Sequence, residues 1–234
     1  MFAFRSFTLP ALLLASLLSS GCASNNPKDP FEGYNRSMDK FNDTLDKAVA
    51  KPVAKGYKAV VPKPVRKMVH NFFSNIDDIF VTANNLLQFK FAQASSDFTR
   101  VWVNSIFGIF GLFDVAHSLE KHNEDFGQTL GHWGVSSGPY IVLPFLGPSS
   151  LRDGTGRAVD SYYGIIGTIE DIPVRNSLYV TDILDQRVEL LDAEAIIEDT
   201  VVDRYSFIRD AYMMRRQSLV YDGDPPREKF DDDE

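Results

Sequence analysis

With 234 residues, 44% of them hydrophobic and 24% charged, the chain has enough apolar material for one sizeable folded domain. A formal net charge of −8 argues against nucleic acid as a partner, which would need a clustered basic surface. A lone cysteine, Cys22, rules out an internal disulfide framework, and 18 phenylalanines, clustered rather than scattered, are the unusual feature.

The first residues read as an export signal. Arg5 is the only charge before Lys28, and "LPALLLASLL" (9–18) is followed by Ser19, Ser20, Gly21 and then Cys22. The run is too short to span a bilayer, which needs about 20 apolar residues. Its order resembles a bacterial lipoprotein signal, so residues 1–21 are expected to be removed and Cys22 to be lipidated. A plain secretory signal leaving a free thiol, or an uncleaved anchor, are the alternatives. Ser19 stands where the usual lipobox has leucine. Mature bacterial lipoproteins carry three fatty chains of the palmitate type, more than the two that hold a protein stably. Ala23, rather than Asp, resembles the enterobacterial sorting pattern for the outer membrane. Residues 22–30 then form a polar tether.

"FEGYNRSMDKFNDTLDKAV" (31–49) places Phe31, Tyr34, Met38, Phe41, Leu45 and Val49 at steps of three and four, which predicts an amphipathic helix. Pro52, Pro62 and Pro64 are expected to break the chain beyond it. The segment 51–67 is basic and free of acids. It is either a solvated connector or a face against anionic headgroups, each charge worth about 1 kcal/mol there. From Val65 the periodicity is strongest: Val65, Val69, Phe72, Phe73, Ile76, Ile79, Phe80 and Leu87 share one face, while His70, Asn71, Asp77 and Asn85 fall elsewhere. A second helix from about Gln93 carries Phe98, Val101, Trp102 and Ser105. Both stripes are expected to face a core, and the competing reading is that part of this surface meets lipid.

"VWVNSIFGIFGLF" (101–113) has no charge. As a helix it would be about 20 Å long, against about 30 Å of hydrocarbon, so it could enter one leaflet but not cross. Phe107, Phe110 and Phe113 are its expected leaflet-embedded residues. The uncharged run 126–151, with Gly131, Gly134, Gly138, Pro139, Pro144 and Gly147, predicts a long hairpin-like loop on a helical scaffold. Helical patterning returns after Asp160 and fills 176–220. The acidic 222–234 is predicted to be disordered. The fold class is therefore mainly α, with little or no sheet and a single domain over 31–221.

Sequence signs of catalysis do not hold together. "GVSSG" (134–138) fits the nucleophile-elbow spacing, but Pro139 and Pro144 forbid the required helix, and His70, His117, His122 and His132 all precede Ser136. In "HSLEKHNED" (117–125) the histidines are five apart, so one helical face cannot present both to a metal. "DGTGR" (153–157) lacks the third glycine of a dinucleotide loop and reads as a turn. No cofactor, metal or catalytic pair is expected.

Four long segments in order, "DPFEGYNRSMDKFN" (29–42), "KPVAKGYKAVVPKPVRKMVHNFFSN" (51–75), "NNLLQFKFAQASSDFTRVWVNSIFGIFGLFDVA" (84–116) and "EDFGQTLGHWGVSSGPYIVLPFLGPSSLRD" (124–153), resemble the MlaA/VacJ family of outer-membrane lipoproteins. Where that family tends to have a glycine before Gly111, this chain has Phe110. The resemblance implies a ring of amphipathic helices in the periplasmic leaflet of the outer membrane, beside a trimeric porin. A polar channel through the ring would pass misplaced outer-leaflet phospholipids to a soluble periplasmic carrier, for return to the inner membrane, with the energy supplied elsewhere. It further implies that Phe41 and Asn42 lie in a segment that keeps the ring closed and that the 126–151 loop gates the channel. A structural or porin-scaffolding lipoprotein without transport is the alternative.

Overall fold

A computed structural model describes residues 26 and 29–226. The signal segment 1–21, the lipidation site Cys22 and the tail from 227 onward lie outside the described residues. Both ends of the folded part extend further than predicted. Asp29, assigned to the tether, is fully buried and accepts hydrogen bonds from the Asn35 amide at 2.9 Å and from the Tyr205 hydroxyl. At the other end, Asp222 pairs with Lys90 at 2.6 Å and the Asp224 N–H bonds the Tyr221 carbonyl at 2.9 Å. The first residues of the predicted disordered tail are therefore tied down.

Helix α1 (Glu32–Leu45) runs through a π-helical turn (Asp46–Ala50) directly into α2 (Lys51–Val60). Pro52, expected to break this region, does not. It has no N–H to give to the preceding turn, and the wider π turn just before it absorbs the mismatch. The break comes at Pro62, after extended Val61 (φ −89°, ψ 120°), and Pro64 sits in the first turn of α3 (Lys63–Leu87), where its missing donor costs nothing. Phe89, at φ 61°, ends α3 in a left-handed cap, with the Lys90 N–H bonded to the Asn85 carbonyl at 2.9 Å. Helix α4 (Phe91–Ile106) then returns along α3.

Residues 107–125 form turns and loop. Ile109 and Phe110 are left-handed at φ 54° and 55°, and Gly111 follows at φ 87°. Phe110 thus holds a backbone conformation that glycine would adopt without strain. At Gly111 a Cβ would also lie 2.6 Å from the Asn75 Cβ, so that glycine is required twice over.

The predicted loop 126–151 is more ordered than expected. It opens with a short helix, α5 (Phe126–His132), which Asp125 caps by accepting the Gln128 N–H at 2.8 Å. It ends in an antiparallel hairpin, β1 (Tyr140–Leu143) with β2 (Gly147–Ser150), in which Tyr140 faces Ser150 and Leu143 faces Gly147. Helix α6 (Leu151–Tyr163) follows at once, so "DGTGR" is helical and not a turn. Gly156 serves contact: a Cβ there would lie 2.3 Å from the Gly127 nitrogen, and the lack of one lets α5 and α6 touch. A 3-10 turn (Ile165–Thr168), α7 (Ile172–Thr200) and α8 (Arg204–Val220) complete the mainly helical fold.

Packing is inverted relative to a water-soluble domain. The buried residues of α3 are Phe73, Asn75, Asp78, Val81, Asn84 and Asn85, while Val65, Ile79, Leu86 and Leu87 of its apolar stripe are exposed. In α4 the buried set is Ala94, Asp97, Arg100 and Asn104, and Phe91, Phe98 and Trp102 point outward. The core-facing expectation therefore fails for much of these two stripes. Polar bonds hold the inner seam: Arg100 meets Asp78 at 3.3 Å, Asn85 donates to Asp97 at 2.9 Å, and Thr129 donates to Asn84 at 2.8 Å. Breaking the buried Arg100–Asp78 pair by removing one partner costs roughly 3–5 kcal/mol. Among the described residues, Tyr140, Val142 and Tyr205 form a buried apolar cluster, with Met38, Tyr212 and Met213 packed against them.

Candidate functional site

A cavity of about 850 Å³ opens between α3, α6, α7, α8 and the segment leading into α5. Asp77, Asp160, Asp182 and Asp185 project into it with Lys121, Arg157 and Arg215. Burial raises the carboxyl pKa of Asp77 and Asp182, and like charges nearby add to the effect. Burial pushes Asp160 up to about 6, against the Phe126 N–H that bonds it, with Asp125 and Asp77 adding repulsion. His70 is raised by its 2.9 Å bond to Asp185. The cavity wall thus carries charges of both signs beside apolar side chains, among them Phe73, Ile76, Phe80, Ile166 and Leu219, so it can meet both a charged group and an apolar chain.

The hairpin beside the cavity is clamped by two asparagines of α1. Asn35 donates to the Tyr140 carbonyl at 3.0 Å and accepts the Val142 N–H at 2.9 Å. Asn42, two turns on, repeats the pattern with the Leu143 carbonyl at 2.9 Å and the Phe145 N–H at 2.8 Å. Each amide acts as a piece of neighbouring strand for the free edge of β1. Phe41 stacks edge-on against Phe145 with ring centroids 5.4 Å apart. Phe41 and Asn42 therefore meet the hairpin tip. Asn35 is not singled out by sequence patterning alone; its seven-residue offset from Asn42, on one helical face, is the available signal.

The six expected gate residues fall in separate places. Pro144 and Gly147 flank the hairpin tip, and the Pro139 carbonyl accepts the Leu151 N–H at 3.2 Å. Gly138 is left-handed at φ 66° before β1. Gly131 and Gly134 line a second cavity, about 670 Å³, under the loop between α5 and β1. Ser136 lies in that loop, preceded by a helix and not by the strand an elbow requires.

Charged residues that sequence reading passes over join the two spaces. Arg216 binds Asp125 through two nitrogens, at 2.5 and 2.8 Å, and Asp153 at 3.0 Å. Burial alone would raise Asp125 and Asp153, but the Arg216 guanidinium holds both below the usual carboxylate range. The segment 117–125 is a loop, as expected, yet it is far from idle: Lys121 binds Asp78 at 2.6 Å and His122 lies 3.0 Å from Asp97. Among the described residues no group of three or more His, Cys, Asp or Glu is placed to hold a metal.

Outside, aromatic side chains cluster on the surface. Phe107, Phe110 and Phe113 are 66, 77 and 46% exposed, and Trp102 stacks edge-on with Phe107 at 6.1 Å. Contiguous apolar surface on this scale marks a contact with membrane or protein. No described helix is long and apolar enough to cross a membrane.

Apolar exteriors around a charged cavity define a class: a helical protein built for an apolar surrounding with a polar interior. The family model described as MlaA lipoprotein matches residues 27–219, and the chain belongs to that family. It is 35% identical over 229 residues to the intermembrane phospholipid transport system lipoprotein MlaA of Escherichia coli K12, covering 92% of this chain and 90% of that one. Its identity to the Haemophilus influenzae protein of the same description is 32% over 236 residues, covering 94% and 92%. A solved structure described as "Structural basis for maintenance of bacterial outer membrane lipid asymmetry" superposes with a TM-score of 0.72 at 32% identity, covering 82% of this chain and 98% of that one.

Proposed function

We infer that this chain removes mislocalised phospholipids from the outer leaflet of the outer membrane, leading them headgroup first through the charged cavity. The lipid is passed to a soluble periplasmic carrier for return to the inner membrane, which maintains lipid asymmetry. In this reading the protein is not an enzyme. It is anchored by acyl chains on Cys22 and lies in the periplasmic leaflet beside a trimeric porin, with Phe107, Phe110 and Phe113 in the acyl region. The 131–147 segment gates the passage, and Phe41 and Asn42 hold its hairpin closed.

One observation supports this reading: α3 and α4 turn apolar residues outward, and carboxylates and cations line a space of about 850 Å³ between the helices. A leaflet-embedded conduit for a charged headgroup needs that polarity, whereas a structural tether gains nothing from a large unfilled interior. The test is outer-leaflet phospholipid, read as palmitoylation of lipid A, in cells with and without the gene. Deletion should raise the signal, and the wild-type gene but not Cys22→Ala should restore it. An unchanged signal, where a known transport mutant raises it, would favour the scaffolding lipoprotein instead.

A further inference from the structure

Arg216 lies on the wall shared by the two cavities. Its Nη atoms are taken by Asp125 and Asp153, and its Nε is buried with no hydrogen-bond partner among the described residues. Asp125 is the cap of α5. Asp153, in the first turn of α6, also accepts from Arg152 at 2.9 Å through the same Oδ1 that Arg216 uses, and from the Tyr212 hydroxyl at 3.0 Å through Oδ2. One cation on α8 thus ties α5 to α6 at the point where the two spaces meet.

This joint has no slack. A Cβ on Gly127 would lie 2.9 Å from both Arg216 Nη2 and Asp153 Oδ1. One on Gly131 would lie 2.7 Å from Val220 and 2.8 Å from Arg152. Where a single methyl does not fit, a headgroup does not pass, so traffic between the cavities requires α5 to move. The chain beyond α5 has the freedom for it, with Gly134 at φ 89° and its missing side chain in open space.

Chemistry supplies a trigger. A planar guanidinium takes phosphate with the same paired geometry that it takes carboxylate. Exchange of one for the other leaves Arg216 neutralised, and an ammonium on the incoming headgroup can neutralise Asp125 in turn. We propose that Arg216 is a gate between the two cavities, closed on Asp125 and Asp153 in the empty protein and opened when a phospholipid phosphate takes its guanidinium and frees α5. The proposal rests on the lipid-transport reading above.

The experiment is a reversible lock. Val220→Cys removes the methyl groups that a side chain at 131 would meet, which leaves only the flexible end of Arg152 to shift, so Gly131→Cys with Val220→Cys brings two thiols within disulfide reach and clamps α5 to α8. In cells, the oxidised double variant should raise lipid A palmitoylation to the level of the gene deletion, and reductant should reverse it, the reduced state serving as the control for folding. Full cross-linking with undiminished lipid removal would overturn the gate. If the wild-type gene itself fails to lower the signal, the transport reading fails and the gate with it.

The same pair reports the latch in purified full-length protein, without any transport. Asp125→Asn keeps an acceptor for the α5 cap but removes the anion, and should slow disulfide formation about tenfold. An unchanged rate would overturn the latch. Micelles containing phosphatidylethanolamine should slow the reaction as well. Equal slowing by inorganic phosphate at the same concentration, or no slowing by either, would overturn the headgroup trigger.

Discussion

Phe110 sets backbone strain against membrane contact, and Phe110→Gly separates the two. Its φ of 55° places a bulky side chain in the left-handed region, at a cost of roughly 1–2 kcal/mol. Glycine removes that strain but gains freedom in the unfolded chain worth up to about 1 kcal/mol, so the fold should be stabilised by about 0–2 kcal/mol. The side chain is 77% exposed. For a Phe that buries roughly 200 Å², this leaves about 150 Å² free to enter lipid, worth ~3–4 kcal/mol at ~25 cal/mol per Å². Partitioning into vesicles, measured on the Cys22→Ala form so that no anchor masks the effect, should fall about 100-fold or more. The unfolding midpoint in urea should hold or rise. Unchanged partitioning, or a fold weakened by more than about 2 kcal/mol, would refute the reasoning.

Two other outcomes are expected at the site. Asn42→Ala removes both of its bonds to the hairpin tip, about 1–3 kcal/mol together, so the Phe145 amide should exchange with solvent about tenfold faster or more. Phe41→Ala removes only the edge-on ring contact, about 0.5–1.5 kcal/mol, and should do less. Asp160 has a folded pKa of about 6 against an ordinary value of 3.8, so its ionisation costs the folded state increasingly as pH rises through that window. Asp160→Asn should therefore leave stability unchanged below pH 3.8 and raise it progressively up to pH 6. Thermal unfolding across that range checks the sign, and a gain at low pH that fades on raising the pH would contradict it.

Periodicity locates α1, α3, α4 and α8 because apolar side chains at steps of three and four share a face whatever that face meets. It cannot say which face is inside. On α3 the same spacing that aligns Val65, Ile79 and Leu87 also aligns Asn75, Asp78 and Asn85, and only the surrounding medium decides which set is buried. Length and chargelessness make 101–113 able to enter one leaflet but not to cross a bilayer, and the structure leaves its phenylalanines exposed. Proline and glycine mislead where tertiary contacts compensate: Pro52 sits behind a π turn, and Gly156 is helical because α5 presses on it. In sequence, Arg216 is one more charge on a solvated helix. Its role depends on Asp125 and Asp153, 91 and 63 residues away, and no local pattern encodes that meeting. The Asn35 and Asn42 pair is within reach, since a seven-residue repeat of amides on one helix is a local feature.

The inverted packing is tested most directly by thiol accessibility in intact membranes. Single cysteines placed on the cavity wall, at Ser74 and Ser161, are compared with ones on the outer face, at Phe98 and Phe110, each in the lipid-anchored protein, whose own Cys22 thiol is blocked by its acyl anchor and takes no label. A charged, water-soluble maleimide should label the cavity positions readily and the outer positions only after detergent is added. Labelling of the outer positions without detergent, with the cavity positions protected, would contradict the account.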